Sequence, residues 1–151
     1  MKTLLVAIDS SAIAGKVVSL AAQQALALNA QVVVVCCVDE KYCSLATPLE
    51  LAAGETFDAA LSSQDEQNGA ESVVRQALAR LRLAGVAARG RVVAGEAAIT
   101  IVEQARALDA EMIIMGRRHL TPFNRLLKGS VSAAVIEQAH CPVMIDVRAD
   151  R

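Results

Sequence analysis

The stretch that decides the fold runs from Met112 to Val147 and reads MIIMGRRHLTPFNRLLKGSVSAAVIEQAHCPVMIDV. Met112 to Met115 is a short apolar run of buried-strand type. Gly116 ends it with a residue able to take positive φ and bring backbone close to a ligand. A loop carrying Arg117, Arg118, Arg125 and Lys128 follows, and no acid occurs between Glu111 and Glu137. Gly129 then leads to Ser130, a natural N-cap for an apolar helix from Val131 to Ala139. His140-Cys141-Pro142 breaks that helix, and Val143 to Val147 reads as another strand. Such a unit points helix-start N–H groups at an anion and surrounds it with guanidinium and ammonium charge, so phosphate is the expected ligand.

Upstream, Thr3 to Ile8 is an aliphatic run of strand length, followed by Asp9-Ser10-Ser11 and a helix from about Ala12 to Leu28. Asp9 thus falls at the carboxyl end of a first strand, the edge where open parallel sheets bind ligands. It serves either as part of a helix cap or as a ligand contact. Gln31 to Val38 lacks alternation and reads as a strand buried on both faces, with Asp39 at its end. The segment from Lys41 to Gly54, with Tyr42 and Pro48, reads as an irregular surface connection rather than a lid. A helical pattern then runs from about Glu55 to Ala84, with an interruption expected at Gln67-Asn68-Gly69 and a solvated face of Arg75, Arg80 and Arg82. Val86 to Ala94 reads as a partly wet edge strand because Arg89 and Arg91 alternate with small residues. Gly95-Glu96 opens a helix to Leu108 with Ile99, Val102, Ala105 and Ala107-Leu108 as its buried side. Five strands alternating with four helices predict one α/β, doubly wound, Rossmann-like domain over residues 1–151, with a five-stranded parallel sheet.

At Gly116, His119 and Gly129-Ser130 the sequence resembles the universal stress protein family. That family's pattern is Gly, two residues, Gly, nine residues, Gly, then Ser or Thr. The spacing is kept here, with His119 standing where the second glycine belongs. The likeness extends to Val6-Ala7-Ile8-Asp9-Ser10-Ser11, Gly95-Glu96, Val131-Ser132 and Cys141-Pro142-Val143. It implies the strand order 3-2-1-4-5 and a site for ATP or another adenine nucleotide. Ala7 and Ile8 would line the base, Asp9 would contact the nucleotide, and backbone at Val38 would meet adenine. The remaining site positions it implies are Met115, Gly116, Arg118, His119, Gly129, Ser130, Val131 and Ser132. It also implies a homodimer through the strand Val143 to Val147, and a nucleotide-dependent regulatory module acting through a protein partner. The alternative is a dimeric interaction protein without nucleotide, in which the His119 imidazole blocks the phosphate site.

Composition limits the other classes. Apolar residues make up 54% of the chain but aromatics only 2%, so Ala, Val, Leu and Ile must fill the interior. A net charge of −1 argues against nucleic acid as a main partner, which wants a broad basic surface. No apolar run approaches the roughly 20 residues that cross a bilayer, and no signal peptide is legible, so a cytoplasmic protein is expected. Cys36, Cys37, Cys43 and Cys141 show neither metal spacing nor a CxxC motif and read as small hydrophobes. No phosphate-binding GxxxxGK[ST] motif and no nucleophile with an adjacent base are present, so no dedicated enzyme is expected. Asp9 or Asp39 is the acid available to hold Mg²⁺ through the phosphates, and any ATP hydrolysis would be slow and incidental.

Overall fold

Aliphatic runs build the centre of the sheet in the computed structural model, which describes residues 1–38, 49–52, 65–117 and 130–150. The elements in chain order are β1 (Lys2–Ile8), α1 (Ala14–Leu28), β2 (Ala30–Val38), β3 (Leu49–Ala52), α2 (Asp65–Leu83), β4 (Ala88–Ala94), α3 (Ala97–Ala107), β5 (Met112–Gly116), α4 (Val131–Gln138) and β6 (Val143–Asp146). A 3-10 turn, Val147–Asp150, follows. The sheet order is β3-β4-β2-β1-β5-β6, parallel throughout except for the antiparallel β3–β4 pair.

The pleat divides the core in two. Leu4, Val6, Ile8, Val32, Val34, Cys36 and Val38 face α1 and α2. Leu5, Ala7, Val33, Val35, Ile113 and Met115 face α3 and α4. Cys36 and Cys37 accordingly point to opposite faces, as strand alternation requires. Covered on both sides, β1 and β2 need no polar positions, which is why they read as unbroken aliphatic runs.

Several expectations are corrected. Among the described residues the sheet has six strands, not five: Leu49–Ala52, expected to be irregular, pairs antiparallel with β4. The five parallel strands keep the expected order, but β4 is not an edge strand. Arg91 owes its polar character to a lateral partner, its guanidinium lying 2.8 Å from Glu50 on β3 and donating to Gln104 at 2.7 Å. Helix α2 passes through 67–69 without interruption. On α3 the buried face is Ala98, Ile101, Val102 and Ala105, leaving Ile99 exposed. β6 stops at Asp146, whose carboxylate accepts from the Arg148 amide at 3.1 Å and turns the chain out of the strand. Gly116 is buried, without positive φ. A Cβ there would stand 2.5 Å from Ile13 Cδ1 and 3.2 Å from Val17 Cγ2, so its small size serves the packing of α1 on β5. Among the described residues no helix is long and apolar enough to cross a membrane.

Candidate functional site

The carboxyl ends of β1 and β5 adjoin where the sheet reverses direction. Their register pairs Ala7 with Met115, so Asp9 follows one strand end beside Gly116 at the other. β2 leaves the other side of β1, and the resulting crevice is the position where doubly wound sheets hold ligands. Ala7, Ile8, Asp9, Met115 and Gly116 line it together with Ile13, Val35, Cys37 and Ile101. Its interior is narrow, about 20 Å³, room for one water.

Asp9 is half-buried and its Oδ1 accepts from the Ser11 amide at 2.9 Å, an Asx-type turn. It therefore shapes the approach to α1 without capping the helix itself. The N-cap position belongs to Ile13, which has no side-chain cap bond. Ser130, Val131 and Ser132 are not among the crevice-lining residues, though Val131 packs in the core cluster that holds Ala7 and Met115; Ser130 caps α4 by accepting from the Ala133 amide at 3.0 Å. Its hydroxyl lies 3.3 Å from that of Ser132, which is buried with Val131. Among the described residues no acceptor meets the amides of Val131 and Ser132, the donors a helix start leaves for an anion.

Val38 stands apart from this group. Its side chain packs in the core under α1 and α2, and its carbonyl accepts from the Gly95 amide at 2.9 Å. Arg117 is exposed just beyond β5. Arg118, His119, Gly129, Arg125, Lys128, Cys43 and Asp39 lie outside the described residues, as does most of the Lys41 to Gly54 segment. Cys37 was not anticipated at the crevice. Alternation could have found it: Val35 is the register partner of Ala7, and Cys37 is two residues further along that face. Its thiol donates to the Ala97 carbonyl at 4.0 Å. Cys141 is farther off, and burial pushes its thiol pKa up. Glu96 anchors the neighbouring α3, accepting from the amides of Ala98 and Ile99 at 3.1 and 3.2 Å. Among the described residues no three His, Cys, Asp or Glu side chains converge as a metal site.

The model of the universal stress protein family matches residues 1–148. The chain belongs to the universal stress protein family. Among its relatives, the universal stress protein Sll1388 of Synechocystis is 30% identical over 150 residues, covering 94% of this chain and 95% of that protein. A universal stress protein solved in complex with cAMP superposes with a TM-score of 0.72 at 25% identity, each chain covered to 97%. The universal stress protein of Archaeoglobus fulgidus, solved with dAMP, shares the fold at a TM-score of 0.67 and 22% identity, with 96% and 97% of the chains covered. The switch-point crevice of this universal stress protein therefore lies in a fold whose solved members include nucleotide complexes.

Proposed function

We propose that this universal stress protein binds an adenine nucleotide, ATP in the first instance, at the carboxyl edge of β1 and β5, and acts as a nucleotide-dependent regulatory module rather than an enzyme. The observation that carries it is the pairing of Ala7 with Met115 at the sheet reversal, beyond which Asp9 and Gly116 line one crevice. In this reading Ala7, Ile8 and Met115 offer apolar surface to the base. The narrow crevice keeps the ring across its mouth. The Asp9 carboxylate accepts from an adenine or ribose donor, and the amides of Val131 and Ser132 with the serine hydroxyls receive phosphate oxygens. Arg118, His119 and Gly129 complete the phosphate side. Asp9 is the acid among the described crevice residues that could meet Mg²⁺ through the phosphates. The cAMP complex of a relative supports an adenine nucleotide as the ligand class.

Calorimetric titration with ATP tests this. Micromolar binding is expected, and Asp9→Asn weakens it roughly tenfold, the scale of one hydrogen bond to a charged group. Millimolar or absent affinity in the parent chain rejects it. The narrowness of the crevice favours the other reading, a dimeric interaction protein without nucleotide. Gain of ATP binding in His119→Gly would select that version. In either case β6 has β5 as its one strand neighbour among the described residues, and we assign its other edge to pairing with a second copy.

A further inference from the structure

The face covered by α1 and α2 carries cations that the nucleotide crevice does not use. Lys16, Ser19, Arg80 and Arg148 line a groove of about 300 Å³ there. Lys16 and Arg148 also border a second hollow with Arg117. Beside the groove's Lys16, Arg80 and Arg148 stands Asp146, which is committed to Arg148: Oδ2 accepts from Nη2 at 2.9 Å and Oδ1 from Nε at 3.0 Å. Arg148 and, more weakly, Lys16 hold the Asp146 carboxyl below the usual carboxylate range. Among the described residues no acid lies within ion-pair distance of Lys16 or Arg80. Lys16 occupies the first turn of α1, where the helix dipole disfavours a cation. Arg80 reaches the groove because position 15 is glycine: a Cβ there would stand 3.2 Å from its Nη2. The guanidinium thus lies along α1, beside an ammonium that shares the field of Asp146 with Arg148, the residue that carboxylate is bonded to.

We propose that this groove binds a small polyphosphate anion, with Arg80 presenting its fork, Lys16 a point charge and Ser19 a hydroxyl. Its volume is at the lower end of small-molecule sites, suited to a diphosphate or triphosphate group. The cations cluster within one groove of a chain with net charge −1, whereas a nucleic-acid duplex would want a basic stripe. The groove shares no lining residue with the nucleotide crevice, although Gly15 and Arg80 also border a hollow that reaches Asp9.

The test is titration of the full-length isotope-labelled chain with sodium pyrophosphate, followed by amide NMR and calorimetry at low salt. Amides of Lys16, Ser19 and Arg148 shift, and Arg80→Gln and Lys16→Gln each weaken binding roughly tenfold while the fold melts unchanged. Ser132→Ala, at the start of α4, leaves pyrophosphate affinity at this groove intact while weakening ATP, so failure of the nucleotide reading, on which this proposal does not rest, and failure of this one are separable. Should Arg80→Gln fold poorly, exposed Lys16→Gln carries the test alone. Shifts confined to Ser130, Val131 and Ser132 overturn the proposal, as do variants that bind like the parent. Binding to phosphatidylglycerol vesicles without any response to pyrophosphate overturns it equally, by assigning the cations to a membrane surface.

Discussion

Replacing Gly116 by alanine separates two reasons for a glycine at the end of β5. If the position is small because α1 packs against it, the new methyl meets Ile13 Cδ1 at 2.5 Å and Val17 Cγ2 at 3.2 Å, and something must move. Gly116 does not have positive φ, so backbone strain adds nothing and the cost is overpacking alone, about 1–3 kcal/mol. For a chain of this length that lowers the melting temperature by about 3–9 °C. Ile13 is half-buried, and Ile13→Val deletes the Cδ1 in the way at a cost of about 0.5–1.5 kcal/mol of its own. The double variant Gly116→Ala/Ile13→Val should therefore melt close to Ile13→Val alone, a non-additivity readable in a four-member thermal-denaturation cycle. ATP affinity, measured on the same proteins, should change less than stability does. A Gly116→Ala protein that melts like its parent while losing ATP would refute the packing account and make the glycine a ligand-approach residue.

Glu96→Ala removes the acceptor of two α3 amides and should cost about 1 kcal/mol, a drop of about 2–4 °C in melting temperature by thermal denaturation. Asp146→Asn tests the buried carboxylate at the end of β6. Because the native pKa of Asp146 is lowered, chiefly by its hydrogen bond with Arg148, its contribution is present above the unfolded value near 3.9 and is lost as pH falls through the native one. The stability gap between parent and variant should hold from pH 7 to about 4 and close below that. A gap unchanged at pH 2 contradicts the assignment. Light scattering at micromolar concentration should report a dimer, and a monomer there removes the edge-pairing assignment of β6.

Particular residues show how far sequence carried. The unbroken Val, Leu and Ile runs of β1 and β2 and the Gly116 to Ser130 spacing made the parallel sheet and its crevice legible, since burial on both faces leaves an unambiguous pattern. β3 was not legible: four residues reading LELA acquire strand form only through pairing with β4 and the Glu50–Arg91 contact, both non-local. The expected break at 67–69 did not occur; Gly69 meets nothing within 4 Å where a side chain would go, and the helix is held from Ala70 and Val74 onward by packing on β2 and β4. On α3, Val102 and Ala105 are buried as expected, but Ile99 and Ala107 are exposed and Ala98 and Ile101 take the buried places, because Ile99 and Ile101 are equally apolar and composition does not choose between them. At the site, Ala7, Ile8, Asp9, Met115 and Gly116 converge as expected. The side chain of Val38 turns to the other core while its neighbour Cys37 lines the crevice, as the pleat requires, and the Val38 carbonyl accepts from the Gly95 amide.

The most direct measurement is an amide chemical-shift map of the full chain titrated with ATP. Shifts converging on Ala7, Ile8 and Asp9 at one wall and on Ser130, Val131 and Ser132 at the other, with saturation at micromolar ligand, are the predicted result. Shifts absent from both walls at millimolar ATP, or confined to Lys16 and Arg80 on the opposite face, would contradict a nucleotide site at the sheet reversal.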